Sequence, residues 1–336
     1  MNKAKSLSLV IPCNNEESAI KISLKIYYSI LENLLKNKYI SEYEVIIVNN
    51  GSTDKTLEVL IDLKKIYKIR IINLEKNFGY TSSYLAGMYH ASKEMIITVS
   101  ADLHEDPNKI QELISKHYIS SNSVLGVYKK RHETLLKNFF SNAYYIFMRS
   151  INIPIVQNHA DFRLIPRDIN KKIFNKLPTF IFIRIIIFDF IKNYEKVFYT
   201  GSDRKIGKTK FNFISSLFLA IDTILFYSKF NILKFFFRMS LMALILTLIS
   251  IYFTKISTIS SFFLFTFILF TLFYSFISIR TKFLKREQNK NDSLFLIQKL
   301  CPDGNYVKYT RYWGEGCIAL ISPILVLYFY RNELIF

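Results

Sequence analysis

Met95-Ile96-Ile97-Thr98-Val99 is a short apolar, partly β-branched run, and Ser100-Ala101-Asp102-Leu103-His104-Glu105-Asp106-Pro107 follows it without a spacer. An apolar run of this length, closed by turn residues, reads as a strand buried on both faces. Such strands belong to parallel sheets covered by helices. In open α/β sheets ligands sit beyond the carboxyl ends of the strands. A carboxylate there, with an imidazole two residues on, could hold a divalent cation against a phosphate. The same residues also suit a plain Asx turn and helix cap, with Pro107 opening a helix over Asn108 to His117.

The chain up to about Phe211 keeps alternating in this way. Leu7 to Pro12, Tyr43 to Val48 and Ile69 to Asn73 read as strands. Glu16 to Lys36 reads as an amphipathic helix, with Ile20, Leu24, Tyr27, Ile30, Leu31 and Leu34 at helical spacing. Thr81 to Ser92 is a third helix. Strands separated by helices imply βαβ units and a mostly parallel, Rossmann-like α/β sheet. Two more strands end in polar clusters: Ile11-Pro12-Cys13-Asn14-Asn15-Glu16-Glu17 and Val48-Asn49-Asn50-Gly51-Ser52-Thr53-Asp54. Each could merely cap a helix. Three at one sheet edge point to a nucleotide pocket.

The character changes after Gly207. Phe213 to Phe230 suits an amphipathic helix in a membrane interface. Phe235 to Phe253 and Ile259 to Ile279 are each long enough to cross ~30 Å of hydrocarbon and would form a transmembrane hairpin. Phe180 to Ile191, interrupted by Arg184 and Asp189, reads as a helix of the soluble domain. Lys and Arg number 45 against 26 Asp and Glu, a net charge of +19. With 51% hydrophobic residues and 31 Phe, that excess fits anionic lipid and phosphorylated ligands, and argues against nucleic acid. Basic residues from Arg280 to Arg311 place this segment and the N-terminal domain in the cytoplasm. Cys13, Cys301 and Cys317 read as free thiols of a reducing compartment, and no secretory leader is expected. Cys317 to Tyr330 is a short apolar tail helix of open placement.

Six motifs in order carry a resemblance: the three strand-end clusters, Asn77-Phe78-Gly79, Asp161-Phe162-Arg163-Leu164, and Arg204-Lys205-Ile206-Gly207-Lys208-Thr209-Lys210-Phe211. On these the chain resembles glycosyltransferase family 2, and within it the polyprenyl-phosphate glycosyltransferases of the dolichol-phosphate mannose synthase and bactoprenol glucosyltransferase type. The resemblance runs to about Ile279. It implies a cytoplasmic GT-A catalytic domain over residues 1–211, an interfacial helix over 212–233 and two transmembrane helices over 234–280. Residues 281–336 lie beyond it and are read from charge and hydropathy as a basic cytoplasmic segment with a short apolar tail helix of open placement.

The implied reaction is inverting transfer of one sugar from a UDP- or GDP-sugar to polyprenyl phosphate, for modification of a surface glycan. The implied setting is the cytoplasmic face of a bacterial inner membrane, in a multi-pass protein. Pro12, Asn14, Glu16, Asn50 and Asp102 would line the nucleotide. Asp102 and His104 would hold Mg²⁺ or Mn²⁺ at the diphosphate. Asp161 would be an acid near acceptor and sugar, or else an ion-pair partner of Arg163 or Arg167. Arg131, Arg163, Arg204 and Lys210 would meet the lipid phosphate, with Lys205 and Lys208 beside them. The alternative for the 204–210 cluster is nonspecific binding of anionic lipid, and Arg184 is a further candidate or a surface cation. The family usually has two acids at Asn49 and Asn50, an aspartate at Ser100 and a glutamine at His104. A lone Asp102 should weaken the cation site, and His104 could offset part of that loss. Transfer to a sugar hydroxyl, with Asp161 as base, and a weakly active nucleotide-sugar or lipid scaffold are the rival readings. Self-association is left open.

Overall fold

The computed structural model describes residues 3–129, 135–175, 183–200, 220–225, 227, 232–254 and 257–289. Seven strands form one sheet: β1 (Leu7–Cys13), β2 (Tyr43–Asn50), β3 (Ile69–Leu74), β4 (Met95–Thr98), β5 (Ser123–Tyr128), β6 (His159–Pro166) and β7 (Tyr194–Tyr199). Their order is β3-β2-β1-β4-β6-β5-β7. β6 runs antiparallel to β4 and β5, and every other pair is parallel. The sheet is therefore mixed and mostly parallel, as the alternation of strands and helices predicts.

Helices cover both faces. α1 (Ala19–Lys36), α2 (Thr56–Ile66) and α4 (Lys109–Ser120) pack on one side, burying Leu24, Leu60 and Leu113 against Leu9, Ile47, Ile97 and Leu164. α3 (Tyr80–His90), α6 (Arg167–Asn175) and α7 (Ile183–Phe190) pack on the other, with Tyr84, Met88, Ile173 and Ile187 against Val10, Ile46, Ile96 and Ile165. α5 (Leu135–Ser150) joins α7 through Met148, Ile153 and Ile185, and the helical residues 220–225 lie on this small cluster through Ala220 and Ile224.

β6 breaks the pattern expected of a strand with one wet face. Ala160, Phe162 and Leu164 enter the core on one side. His159, Asp161 and Arg163 alternate with them on the other, yet α3 and α7 cover that side and all three are at most 2% exposed.

α8 (Ile232–Thr254) and α9 (Ser257–Asn289) contain the two expected spans. They lie side by side, with Phe236 stacked on Phe273 at 5.6 Å and Phe237 against Tyr274 at 5.9 Å. Among the described residues one stretch, Phe262–Thr281 within α9, is long and apolar enough to cross a membrane. Its 20 residues extend about 30 Å as a helix. Most of the expected interfacial helix, the 204–210 cluster and the tail lie outside the described residues.

Candidate active site

Parallel register brings the ends of β1, β2 and β4 to one edge: Cys13 pairs with Asn49, and Val10 with Thr98. The loops after β1 and β2 are laced together there. Asn14 Nδ2 donates to Asn50 O at 2.7 Å, Asn15 N to Ser52 Oγ at 2.9 Å, and Glu16 N to Thr56 Oγ1 at 2.8 Å. Asn15 Oδ1 in turn accepts from Thr53 N at 2.7 Å. Asn15 has φ +54°, a left-handed conformation that asparagine tolerates.

The two asparagines at the end of β2 act as donors. Asn49 Nδ2 donates to Asn73 Oδ1 at 2.7 Å. Asn50 Nδ2 donates to Asn77 Oδ1 and Gly79 O, both at 3.1 Å, and its Oδ1 accepts from Phe78 N at 3.0 Å. An ionised carboxylate only accepts, so aspartates could keep the bond from Phe78 N but could not make the three bonds donated by Nδ2. Both Asn50 N–H groups are thus committed to the 77–79 loop, which the residue holds in place. Gly51, at φ +57°, fits beneath that loop because a Cβ would lie 2.1 Å from the Lys76 carbonyl carbon.

Beyond β4, Ser100 N donates to Glu105 Oε2 at 3.1 Å, and the Ser100 hydroxyl donates to the same oxygen. Tyr27 Oη donates to Ser100 O at 2.8 Å. Leu103 is left-handed at φ +55°, a strained state for a leucine. It turns the chain so that His104 N donates to Asp102 Oδ1 at 3.3 Å. The His104 ring lies 5.4 Å from Tyr128 at the end of β5, and Tyr128 lies 4.7 Å from Tyr199 at the end of β7. Glu105 is buried, and burial, then the charge of Asp102, push its carboxyl up.

Asp161 reaches the same edge. Thr98 Oγ1 donates to its backbone oxygen. Its Oδ1 pairs with Arg163, and its Oδ2 accepts from Arg184 Nε at 2.8 Å, Arg184 Nη2 at 2.6 Å and the Tyr80 hydroxyl. Burial alone would raise this carboxyl, but the Arg184 and Arg163 charges hold it well below the usual carboxylate range. Burial of its hydroxyl end and the Asp161 charge push the Tyr80 phenol up, so it stays protonated.

A family model described as glycosyl transferase family 2 matches residues 8–174. An uncharacterised glycosyltransferase of Synechocystis is 34% identical over 66% of this chain and 69% of its own length. The chain belongs to glycosyltransferase family 2. A prophage bactoprenol glucosyl transferase homolog of Escherichia coli is 31% identical to this glycosyltransferase, over 67% of this chain and 72% of the relative. Among solved structures, glucosyl-3-phosphoglycerate synthase of Mycobacterium tuberculosis, with Mn²⁺, UDP and glucosyl-3-phosphoglycerate, aligns at TM-score 0.45 and 16% identity over 66% of this chain and 78% of that one.

In this glycosyltransferase Pro12, Asn14, Glu16, Asp102 and His104 all lie half-buried at the sheet edge. Among the described residues no group of three or more His, Cys, Asp and Glu forms a cage for a metal ion. Asp102 with His104 nevertheless suits a cation that takes one or two protein ligands and completes its shell from substrate phosphate and water. Arg163 is a correction. Expected at the lipid phosphate, its guanidinium is fully buried between Asp161 and the Ile183 carbonyl, which it meets at 3.4 Å, and in this arrangement it cannot touch a headgroup. Arg131, Arg204 and Lys210 lie outside the described residues. Sequence reading passed over Tyr80 and Glu105. Tyr80 opens α3 directly after the Asn77-Phe78-Gly79 motif, and Glu105 sits within the acidic cluster itself, so both signals were present.

Proposed function

We propose that this glycosyltransferase moves a single sugar, with inversion, from a nucleotide-diphosphate sugar to polyprenyl phosphate at the cytoplasmic face of a membrane. The observation that carries this reading is the state of Asp161. Both of its oxygens are taken by donors from Arg163, Arg184 and Tyr80, and it is held ionised far below neutrality. A carboxylate so saturated is a poor general base. A hydroxyl acceptor needs such a base, whereas a phosphate monoester arrives already anionic.

In the reaction a phosphate oxygen of the acceptor attacks the anomeric carbon. The bond from that carbon to the donor's diphosphate breaks, and nucleoside diphosphate leaves. Pro12, Asn14 and Glu16 would bind the nucleoside beside the 77–79 loop held by Asn50 and Gly51. Asp102 and His104 would hold a divalent cation, which when bound supplies charge neutralisation of the leaving diphosphate. The apolar α8–α9 pair would place the domain beside its lipid substrate, and the bactoprenol glucosyl transferase names among the relatives agree with a lipid-linked product.

The test is turnover by the full-length protein in nanodiscs. With UDP-glucose or another nucleotide sugar, nucleoside diphosphate should appear only when a polyprenyl phosphate and Mg²⁺ or Mn²⁺ are both present. Equal release with a polyprenol, which has a hydroxyl and no phosphate, would overturn the assignment in favour of hydroxyl transfer.

A further inference from the structure

Asp161 is one carboxylate facing two guanidinium groups, so the cluster carries an excess positive charge at the catalytic edge. The two arginines are not equivalent. The Arg163 side chain is fully buried, whereas that of Arg184 is 33% exposed. A guanidinium has five N–H donors, and Asp161 takes those of Nε and Nη2. Tyr80 is 41% exposed, and its ring lies 6.0 Å from the Arg184 guanidinium carbon. The unbalanced charge therefore faces outward through Arg184, beside the Tyr80 ring.

The position of this charge relative to the other candidate residues is fixed by the sheet. Thr98 pairs with Arg163 across β4 and β6, and Thr98 Oγ1 holds the Asp161 backbone. Two residues beyond Thr98 the Ser100–Glu105 turn begins, with Asp102 inside it. Arg184 thus sits on the β6 side of Asp102, at the same strand ends and on a separate helix. Guanidinium groups fixed in this way recognise oxyanions through paired N–H bonds.

We propose that Arg184 receives a phosphate group at this edge, with Asp161, Arg163 and the Tyr80 hydroxyl, which donates to Asp161, as the support that aims it. The inference rests on the transfer reaction proposed above. That reaction offers two sources of phosphate, the diphosphate of the donor and the monophosphate of the acceptor. Asp161 is on this account a positioning residue: it fixes the guanidinium plane and keeps the phenol protonated.

The experiment measures direct binding to the full chain in nanodiscs, by equilibrium dialysis of radiolabelled UDP and of farnesyl phosphate, with uridine and farnesol as phosphate-free controls. Arg184→Gln should weaken one phosphate ligand at least tenfold and leave both controls within twofold. Weakened UDP assigns Arg184 to the donor, and weakened farnesyl phosphate assigns it to the acceptor. Arg184→Lys should restore part of the loss, because a point charge replaces the fork, and Tyr80→Phe should weaken the same ligand severalfold. Both phosphate ligands within twofold of wild type in Arg184→Gln, or an equal loss for the controls, overturns the proposal. Because binding is read without turnover, absence of sugar transfer to prenyl phosphate would sink the proposed function while Arg184 was still judged.

Discussion

Glu105 accepts two hydrogen bonds from Ser100, one from the backbone N–H at 3.1 Å and one from the hydroxyl. Ser100, where the family resemblance leads one to expect a second acid, is thus a donor turned inward toward a buried carboxylate. Glu105→Ala removes the acceptor, leaves the Ser100 N–H unpaired, and should cost about 1–2 kcal/mol. Glu105→Gln keeps an acceptor in place and sheds a buried charge, so its melting temperature should stay within a degree or two of wild type. Thermal unfolding of the full chain in detergent distinguishes the pair.

Ser100→Asp would restore the two-acid pattern, but it sets a carboxylate against Glu105. Without divalent cation this variant should lose on the order of 3 kcal/mol, since two close carboxylates cannot both stay charged and buried. Adding Glu105→Gln should recover most of that. Melting in EDTA, for the single and double variants, checks both statements.

Gly51 and Gly79 both have positive φ, at +57° and +85°, yet their surroundings differ. A Cβ on Gly51 would overlap the Lys76 and Asn77 backbone, whereas one on Gly79 meets nothing within 4 Å. Gly79 lies at φ +85°, ψ 166°, a region essentially reserved for glycine, so Gly79→Ala should cost the conformational strain alone, about 2 kcal/mol. Gly51→Ala should cost at least 3 kcal/mol and loosen the 77–79 loop held by Asn50. Denaturant unfolding of the two variants gives the comparison.

These glycines also mark what could be read from the sequence. The strands up to β4 were legible because their apolar runs end in turn residues, and the polar clusters at those ends identified the edge. β6 was not legible. His159, Asp161 and Arg163 alternate with apolar residues like a solvent-facing strand, and only the packing of α3 and α7 turns that face into a buried ionic cluster. Asp161 could be named from its motif, but its saturation by Arg184 and Tyr80 depends on contacts 23 and 81 residues away in sequence. The asparagines at 49 and 50 looked like lost acids, and the Asn73 side chain held by Asn49 and the 77–79 loop held by Asn50 explain the amides.

His90 provides a pH signature. Burial, and then the charge of Arg70, lower its imidazole from 6.5 to about 4, with Arg70 Nη1 donating to His90 O at 3.3 Å. In the unfolded chain it takes up a proton near pH 6.5, while in the folded chain it does so only near pH 4. Stability should therefore fall as pH drops from about 6.5 to 4, by on the order of 2 kcal/mol from this residue, and be flat with respect to it above pH 7. His90→Gln should remove that share of the acid slope, read as melting temperature against pH for both proteins.

Arg280, near the end of the apolar stretch of α9, meets Asp222 through Nε at 2.6 Å and through Nη2 to the other carboxylate oxygen, with both residues under 5% exposed. Asp222 belongs to the helical residues that lie on α5 and α7 through Ala220 and Ile224, so the pair ties the catalytic domain to the apolar helices. A buried ion pair is weak evidence of net stabilisation, but breaking one side strands a charge. Arg280→Ala should cost about 3–5 kcal/mol. Asp222→Leu combined with Arg280→Met removes both charges and should recover most of that loss. A double variant no more stable than Arg280→Ala, by thermal unfolding in detergent, would mean that the coupling depends on the charges themselves.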